Sequence, residues 1–507
     1  MNANLYALLA SRFPADLSAC CIETESGLYY SWDDLERATA KLANLLSSLR
    51  LPRAARIAVQ VDKSPESLML YLATLRAGYI FLPLNSAYRE AEIDYFISDA
   101  QPSVMVCAPA NLRWISACAA RHGVNHVFTL ARMNEGKPAG TLLEQARSHA
   151  DRFETVQSKP DELAAILYTS GTTGRSKGAM LSHQNLSSNA LVLQQAWQWR
   201  EGDVLLHALP LFHVHGLFVA CHGALLNGSK MIFLSGFNAR KVMAHLPRAT
   251  VFMGVPTYYV RLLAEPDFNE ALCRSMRLFI SGSAPLLRDT FQQFRQRTGH
   301  TILERYGMSE TTMLTSNPYE GERLAGTVGF PLPGVSLRIV NADGKPLPPG
   351  KIGQIEVKGP NIFSGYWRMP EKTTEEFTDD AYFKTGDLGC FDERGYLSIV
   401  GRSKDMIISG GYNVYPKEIE SVLDEMEGIR ESAVIGLPHS DFGEAVIAAV
   451  VPESGVQLDE ALIISKLKGR IANFKVPKKV FFLEELPRNA MGKVQKNQLR
   501  DRFKEHY

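Results

Sequence analysis

The 507 residues carry 55 Lys+Arg against 54 Asp+Glu, a net charge of +1, which leaves no bulk charge to hold a nucleic acid or other polyanion. Hydrophobic residues at 45% and charged residues at 21% exclude disorder over most of the chain, and the length allows roughly three units of ~150 residues. Seven scattered cysteines without a C-x-x-C pair argue against a disulfide framework and for a reducing cytoplasm.

The chain opens on MNANLYALLASRFPADLSACCIE, which has no basic start and reads as an amphipathic helix rather than a signal or transit peptide. Leu163–Tyr168 is a short apolar run that breaks into TSGTTGRSKG, as a buried strand feeding a loop would. Three glycines there permit close backbone approach, the hydroxyls and consecutive N–H groups suit phosphate oxygens, and Lys177 adds a point charge. The spacing is not that of a Walker loop, and taken alone the stretch also fits an ordinary Ser/Thr/Gly turn. Ala208–Leu226 is the most apolar stretch, but His213, His215, Gly216, His222 and Gly223 interrupt it. It reads as buried core in a soluble protein rather than a membrane span. No Cys or Asp cluster completes a zinc set around its HVH, so His207 and His213 read as pocket-lining donors or as core histidines.

Arg277–Ser281 runs into GSAPL as 163–168 runs into its loop, and Thr301–Glu304 precedes a further loop, RYGMSE. Three strand ends delivering polar, Gly-containing loops suit an α/β layering with its site at strand C-termini. From Asn341 to Tyr366, turn chemistry (NADGKPLPPG) between LRIV and IGQIEVKG predicts a small β-rich subdomain. GYLSIVGR reads as a strand, and a boundary follows around Gly401–Asp405. Beyond it, Pro416 leads a helix, PKEIESVLDEM, and the remaining ~100 residues suffice for a small α+β domain. Lys466–Lys504 holds twelve Lys/Arg against three Asp/Glu, either a solvated basic face or a site for a phosphate-rich ligand.

Taken together and in order, YTSGTTGRSKG (168–178), YGMSE (306–310), TGD (385–387), Gly401-Arg402 and PRNAMGK (487–493) resemble the AMP-forming acyl-CoA synthetases, the adenylate-forming superfamily. The resemblance spans nearly the whole chain. It implies an N-terminal adenylation domain, 1–403, of layered α/β subdomains with the small β-rich one, and a mobile α+β C-terminal domain, 404–507. It implies ATP, Mg²⁺ and coenzyme A, with an acyl-adenylate formed first and AMP leaving when the coenzyme's thiol attacks.

The resemblance also distributes roles. Thr169, Ser170, Gly171, Thr172, Thr173, Gly174 and Lys177 would hold the β- and γ-phosphates. Gly282, Ser283, Ala284 and Pro285 would line the adenine pocket and Tyr306 would stack on the base, with Glu304, Arg305, Gly307 and Met308 counted among the cofactor-binding residues. Ser309 stands where the family usually has Thr and keeps the hydroxyl for the α-phosphate. Glu310 would ligate Mg²⁺, a hard oxygen for a hard cation. Asp387 and Arg402 would grip the ribose, Lys493 would bridge the carboxylate and α-phosphate oxygens, and Lys404 would be the hinge. The swing would bring Gly410 and Gly411 against the pantetheine arm, and acetylation of Lys493 by a lysine acetyltransferase, reversed by a deacetylase, would switch the reaction off.

For the acid, Arg277 opens an apolar strand, and a buried Arg there needs either a protein carboxylate or a substrate carboxylate as partner. HALPLFHVHGLFVA, RLFISGSAPLL, ERYGMSET and NVYPKEIES are similar to malonate-activating members, some of which also take methylmalonate, which favours the substrate. His207, Arg277 and Ser281 are then the expected contacts to a short dicarboxylate. Another short-chain or aryl acid, loading of a carrier protein, and a catalytically dead regulatory member are the competing readings; the retained Lys177, Glu310, Asp387 and Lys493 oppose the last.

Overall fold

The computed structural model describes residues 2–132, 140–169, 176–409, 412–439, 443–489 and 491–505. The predicted N-terminal helix is shorter than its amphipathic pattern suggests. Asn4 caps Leu5–Ala10, and the chain then turns through Pro14 into the strand Cys20–Thr24. That strand forms one edge pair of a long sheet, so its apolar residues are paired between strands rather than along a helix face.

Among the described residues the strands fall into four sheets. In the first, Val204–His207, Lys230–Phe233, Val251–Gly254, Leu278–Ser281 and Leu303–Met308 run parallel at the centre. In the second, Arg56–Gln60, Ile80–Pro83, Val104–Cys107 and Leu163–Thr169 are parallel, and Lys177–Ser182 closes back antiparallel after the phosphate-loop motif. The fully buried helix Pro65–Arg76 is shared between them: its Leu68, Tyr71 and Leu75 join one core with Phe81, Leu205 and Phe218. The β-rich subdomain is the antiparallel sheet Ser336–Val340, Gly353–Lys358, Phe383–Phe391 and Leu397–Arg402.

The last sheet carries Ile407–Ser409, Tyr412–Val414, Ile429–His439, Gly443–Pro452 and Lys479–Phe482. Two apolar clusters lie on its faces, one around Ile419, Val434 and Val446, the other around Ile435, Leu499 and Phe503. The helix expected after Pro416 runs Pro416–Asp424, with proline in its first turn where no N–H is needed. The apolar stretch 208–226 folds into a π-helical segment, His215–Cys221, continued by the helix His222–Leu226, and every residue of both is buried.

Candidate active site

The strand predicted to end at Glu304 continues to Met308, because Arg305–Met308 pair antiparallel with Thr312–Ser316. Strand alternation therefore sends Arg305 to one face and Glu304 and Tyr306 to the other. Arg305 is 4% exposed and lines a cavity of about 620 Å³. Its Nε and Nη2 find no hydrogen-bond partner among the described residues. Gly282 makes room for the guanidinium: a Cβ built there would lie 2.4 Å from the Arg305 Cζ. Burial pushes Arg305 down to about 9, so it remains cationic at neutral pH. His213, His215 and Ser283 line the same cavity, and the Ser283 Oγ sits 3.4 Å from the His215 Nδ1. Burial, then the Arg305 charge, pushes His213 down to about 4 and His215 well below the usual range. Both rings are thus neutral polar groups beside a lone cation.

The cavity wall also includes Thr169, Lys177, Gly307, Met308, Ser309, Glu310, Arg402, Lys404 and Lys493. Lys177 lies 3.5 Å from Glu376 and 4.7 Å from the centre of the Tyr366 ring. Tyr366 donates its hydroxyl to the buried Glu310 Oε1 at 3.0 Å, and burial raises the Glu310 carboxyl above its ordinary value. Asp387 accepts from the Tyr306 hydroxyl at 2.5 Å and pairs with Arg402 at 2.9 Å. Lys493 opens onto the cavity; enclosure by the cleft walls, then the Arg402 charge, pushes its ammonium down to about 8. The structure so gathers three strand-end loops, the β-rich sheet and the C-terminal unit around one space. Ser170, Gly171, Thr172, Thr173, Gly174, Gly410 and Gly411 lie outside the described residues.

Four expectations need correction. Arg277 gives its guanidinium to Asp203, with Nε 2.7 Å from Oδ1 and Nη2 on Oδ2, and it lines no part of the cavity. The reason is polarity of the strand: Arg277 precedes Leu278–Ser281, about 13 Å from its C-terminal end at ~3.3 Å per residue, whereas the site lies at that end. His207 has both ring nitrogens engaged inside the protein, by Lys63 and by the Gly216 carbonyl. Glu304 is buried on the opposite face, where it accepts from the Gly326 N–H at 3.2 Å, and burial raises its carboxyl to about 8. Ser281 is buried without a hydrogen-bond partner for its hydroxyl and does not reach the cavity wall. Ala284 and Pro285 follow Ser283 in the loop between that strand and the helix Arg288–Thr298. Sequence reasoning had placed Arg305 in the nucleotide site. The i, i+2 alternation along 304–306 would have separated it from its neighbours had the strand's length been known.

The AMP-binding enzyme profile matches residues 9–367, and the AMP-binding enzyme C-terminal domain matches residues 418–493. Malonate–CoA ligase of Arabidopsis thaliana is 37% identical over 479 residues, covering 88% of this chain and 78% of that protein. Feruloyl-CoA synthase of an Amycolatopsis species is 34% identical, covering 94% of each. The crystal structure of ATP-bound MatB from Rhodopseudomonas palustris matches with a TM-score of 0.97 at 54% identity, covering 100% of both chains.

Proposed function

The chain belongs to the AMP-binding enzyme family, and from that premise we propose that it is an ATP-dependent ligase joining malonate to coenzyme A, with AMP and pyrophosphate released by way of an acyl-adenylate. Methylmalonate fits the same reading. One observation carries the choice of acid: Arg305 is a buried cation with no carboxylate paired to it among the described residues, beside two neutral histidines, in the cavity that also holds the family's motif residues. A long acyl chain offers that cation no counter-charge, whereas the second carboxylate of a short diacid pairs with it. The 37% identity with the Arabidopsis malonate–CoA ligase supports the same acid.

In this reading the reacting carboxylate oxygen attacks the α-phosphorus in line, and the bond to pyrophosphate breaks. The barrier is electrostatic, an anion approaching a polyanion, so the side chains that gather positive charge carry the step. Lys177 meets the outer phosphates and Lys493 the α-phosphate and attacking oxygen. Ser309 donates to an α-phosphate oxygen. Asp387, already held by Tyr306 and Arg402, accepts from the ribose hydroxyls. Among the described residues no cluster of three metal-ligating side chains exists, so Mg²⁺ would be held by Glu310 and the nucleotide's own phosphates, which suits an ion that keeps few protein ligands. Bound there, it would neutralise phosphate charge.

For the second half, Lys404 is the pivot between domains 1–403 and 404–507, and Gly410-Gly411 swing against the pantetheine arm. A second cavity of about 250 Å³ shares Pro83 and Phe212 with the first and gives the thiol a side approach. Lys493 is the natural target of an acetyltransferase, since acetylation removes its charge. Seven free cysteines suit the cytoplasm, and no helix among the described residues is long and apolar enough to cross a membrane. Pyrophosphate release across short mono- and dicarboxylates, with and without coenzyme A, tests the proposal. Malonate should lead the panel, and turnover of a monocarboxylate in preference to malonate would refute it.

A further inference from the structure

Lys63 lies between the strand Arg56–Gln60 and the helix Pro65–Arg76, and it lines the smaller cavity together with Phe212. It is 8% exposed, with no carboxylate paired to it among the described residues. Its ammonium reaches across to the other sheet, 2.6 Å from the His207 Nδ1, 2.8 Å from the His207 carbonyl oxygen and 4.3 Å from the centre of the Phe233 ring. The His207 Nε2 lies 2.9 Å from the Gly216 carbonyl oxygen. A carbonyl only accepts, so Nε2 carries the proton and Nδ1 accepts from Lys63. The chain Lys63–His207–Gly216 therefore closes the loop 208–215, which delivers Phe212, His213 and His215 to the cavity. That loop has no slack. A Cβ on Gly216 would lie 2.0 Å from the Pro210 carbonyl oxygen.

We propose that Lys63 is a positioning residue for acid recognition, holding the loop 208–215 through His207 so that His213 and His215 face the Arg305 side of the pocket. This rests on the malonate reading above. The side chain's reach from one sheet to the other explains why a long donor stands here, and burial keeps the His207 ring neutral as the acceptor role demands.

The test is a double-mutant cycle on pyrophosphate release, with Lys63→Met, His207→Gln and both. Lys63→Met should raise KM for malonate ~10-fold, the loss of two buried hydrogen bonds. It should leave KM for ATP within about twofold. The losses in the double variant should be less than additive, because one of the two hydrogen bonds that Lys63 makes is to that ring. An unchanged KM for malonate, equal rises for malonate and ATP, or additive losses would overturn the proposal. Wild-type protein without malonate-dependent pyrophosphate release would overturn both readings, and that arm alone tells the two failures apart. Should Lys63→Met not fold, ¹⁵N-histidine spectra of the wild type decide: a neutral His207 protonated on Nε2 supports the tie, and one protonated on Nδ1 refutes it.

Discussion

Arg305 lies within the strand Leu303–Met308, whereas Arg277 precedes the neighbouring strand Leu278–Ser281, at its end away from the cavity. At the cavity, Arg305→Met should lower kcat/KM for malonate ~10²–10³-fold, since an unpaired buried charge costs about 3–5 kcal/mol and each ~1.4 kcal/mol is tenfold. Acetate, lacking the second carboxylate, should lose far less; parallel losses in a side-by-side assay would return Arg305 to a packing role. Arg277→Ala should do the reverse, sparing the ratio of the two acids and lowering stability by about 3 kcal/mol by stranding the buried Asp203. Burial pushes the Asp203 carboxyl up, but hydrogen bonds from Arg277, the Arg200 N–H and Thr250 outweigh it and hold it below its ordinary value. That stabilisation is in place above the unfolded carboxylate range and is lost as pH falls through the folded value. Urea midpoints of wild type and Arg277→Ala should accordingly converge on acidification. Lys493 titrates the other way. In the proposed reaction its ammonium serves adenylation, and it is held down to about 8, so kcat/KM for pyrophosphate release should fall ~10-fold per unit as pH rises above that value. Lys493→Ala should abolish this half-reaction, while thioester formation from supplied acyl-adenylate stays active and lacks the alkaline limb.

The segment Ser403–Asp405 is a single 3₁₀ turn between the strand Leu397–Arg402 and the strand Ile407–Ser409. Asp405 is tied to Arg500 at 2.8 Å, which leaves exposed Lys404 as the residue with freedom to turn. Proline at 404 fixes φ near −65° and biases Ser403 toward extended backbone. Lys404→Pro should therefore change adenylation and thioester formation by unequal factors in single-turnover assays, and equal factors would remove it as the pivot. At this same scale the residues made most strands legible. LAAILY, LRIV, IGQIEVKG and GYLSIVGR all lie on strands, because short apolar runs between turn residues leave few alternatives. The N-terminal helix and the end at Glu304 were not legible. Both were decided by strand pairing, with the distant Lys230–Phe233 for one and with the hairpin partner Thr312–Ser316 for the other.

The chain past the hinge has the means to fold alone. Its two apolar clusters draw every member from residues 407–503, although Met491 leaves them to pack on the main core. A fragment 404–507 should unfold cooperatively by circular dichroism, and a fragment 1–403 should bind ATP without releasing pyrophosphate; a structureless 404–507 would refute the domain boundary. What the sequence by itself determined was the chemistry. Ordered motifs of Gly, hydroxyl, carboxylate and Lys residues specify a nucleotide and a reaction, because backbone cradles and charges act over a few adjacent positions. Which acid is bound was left to the tertiary structure. Arg277 and Arg305 are equally plausible cations in one dimension; only the direction of a strand, the face on which a side chain emerges and the presence of Asp203 beside one of them decide which charge remains for the substrate.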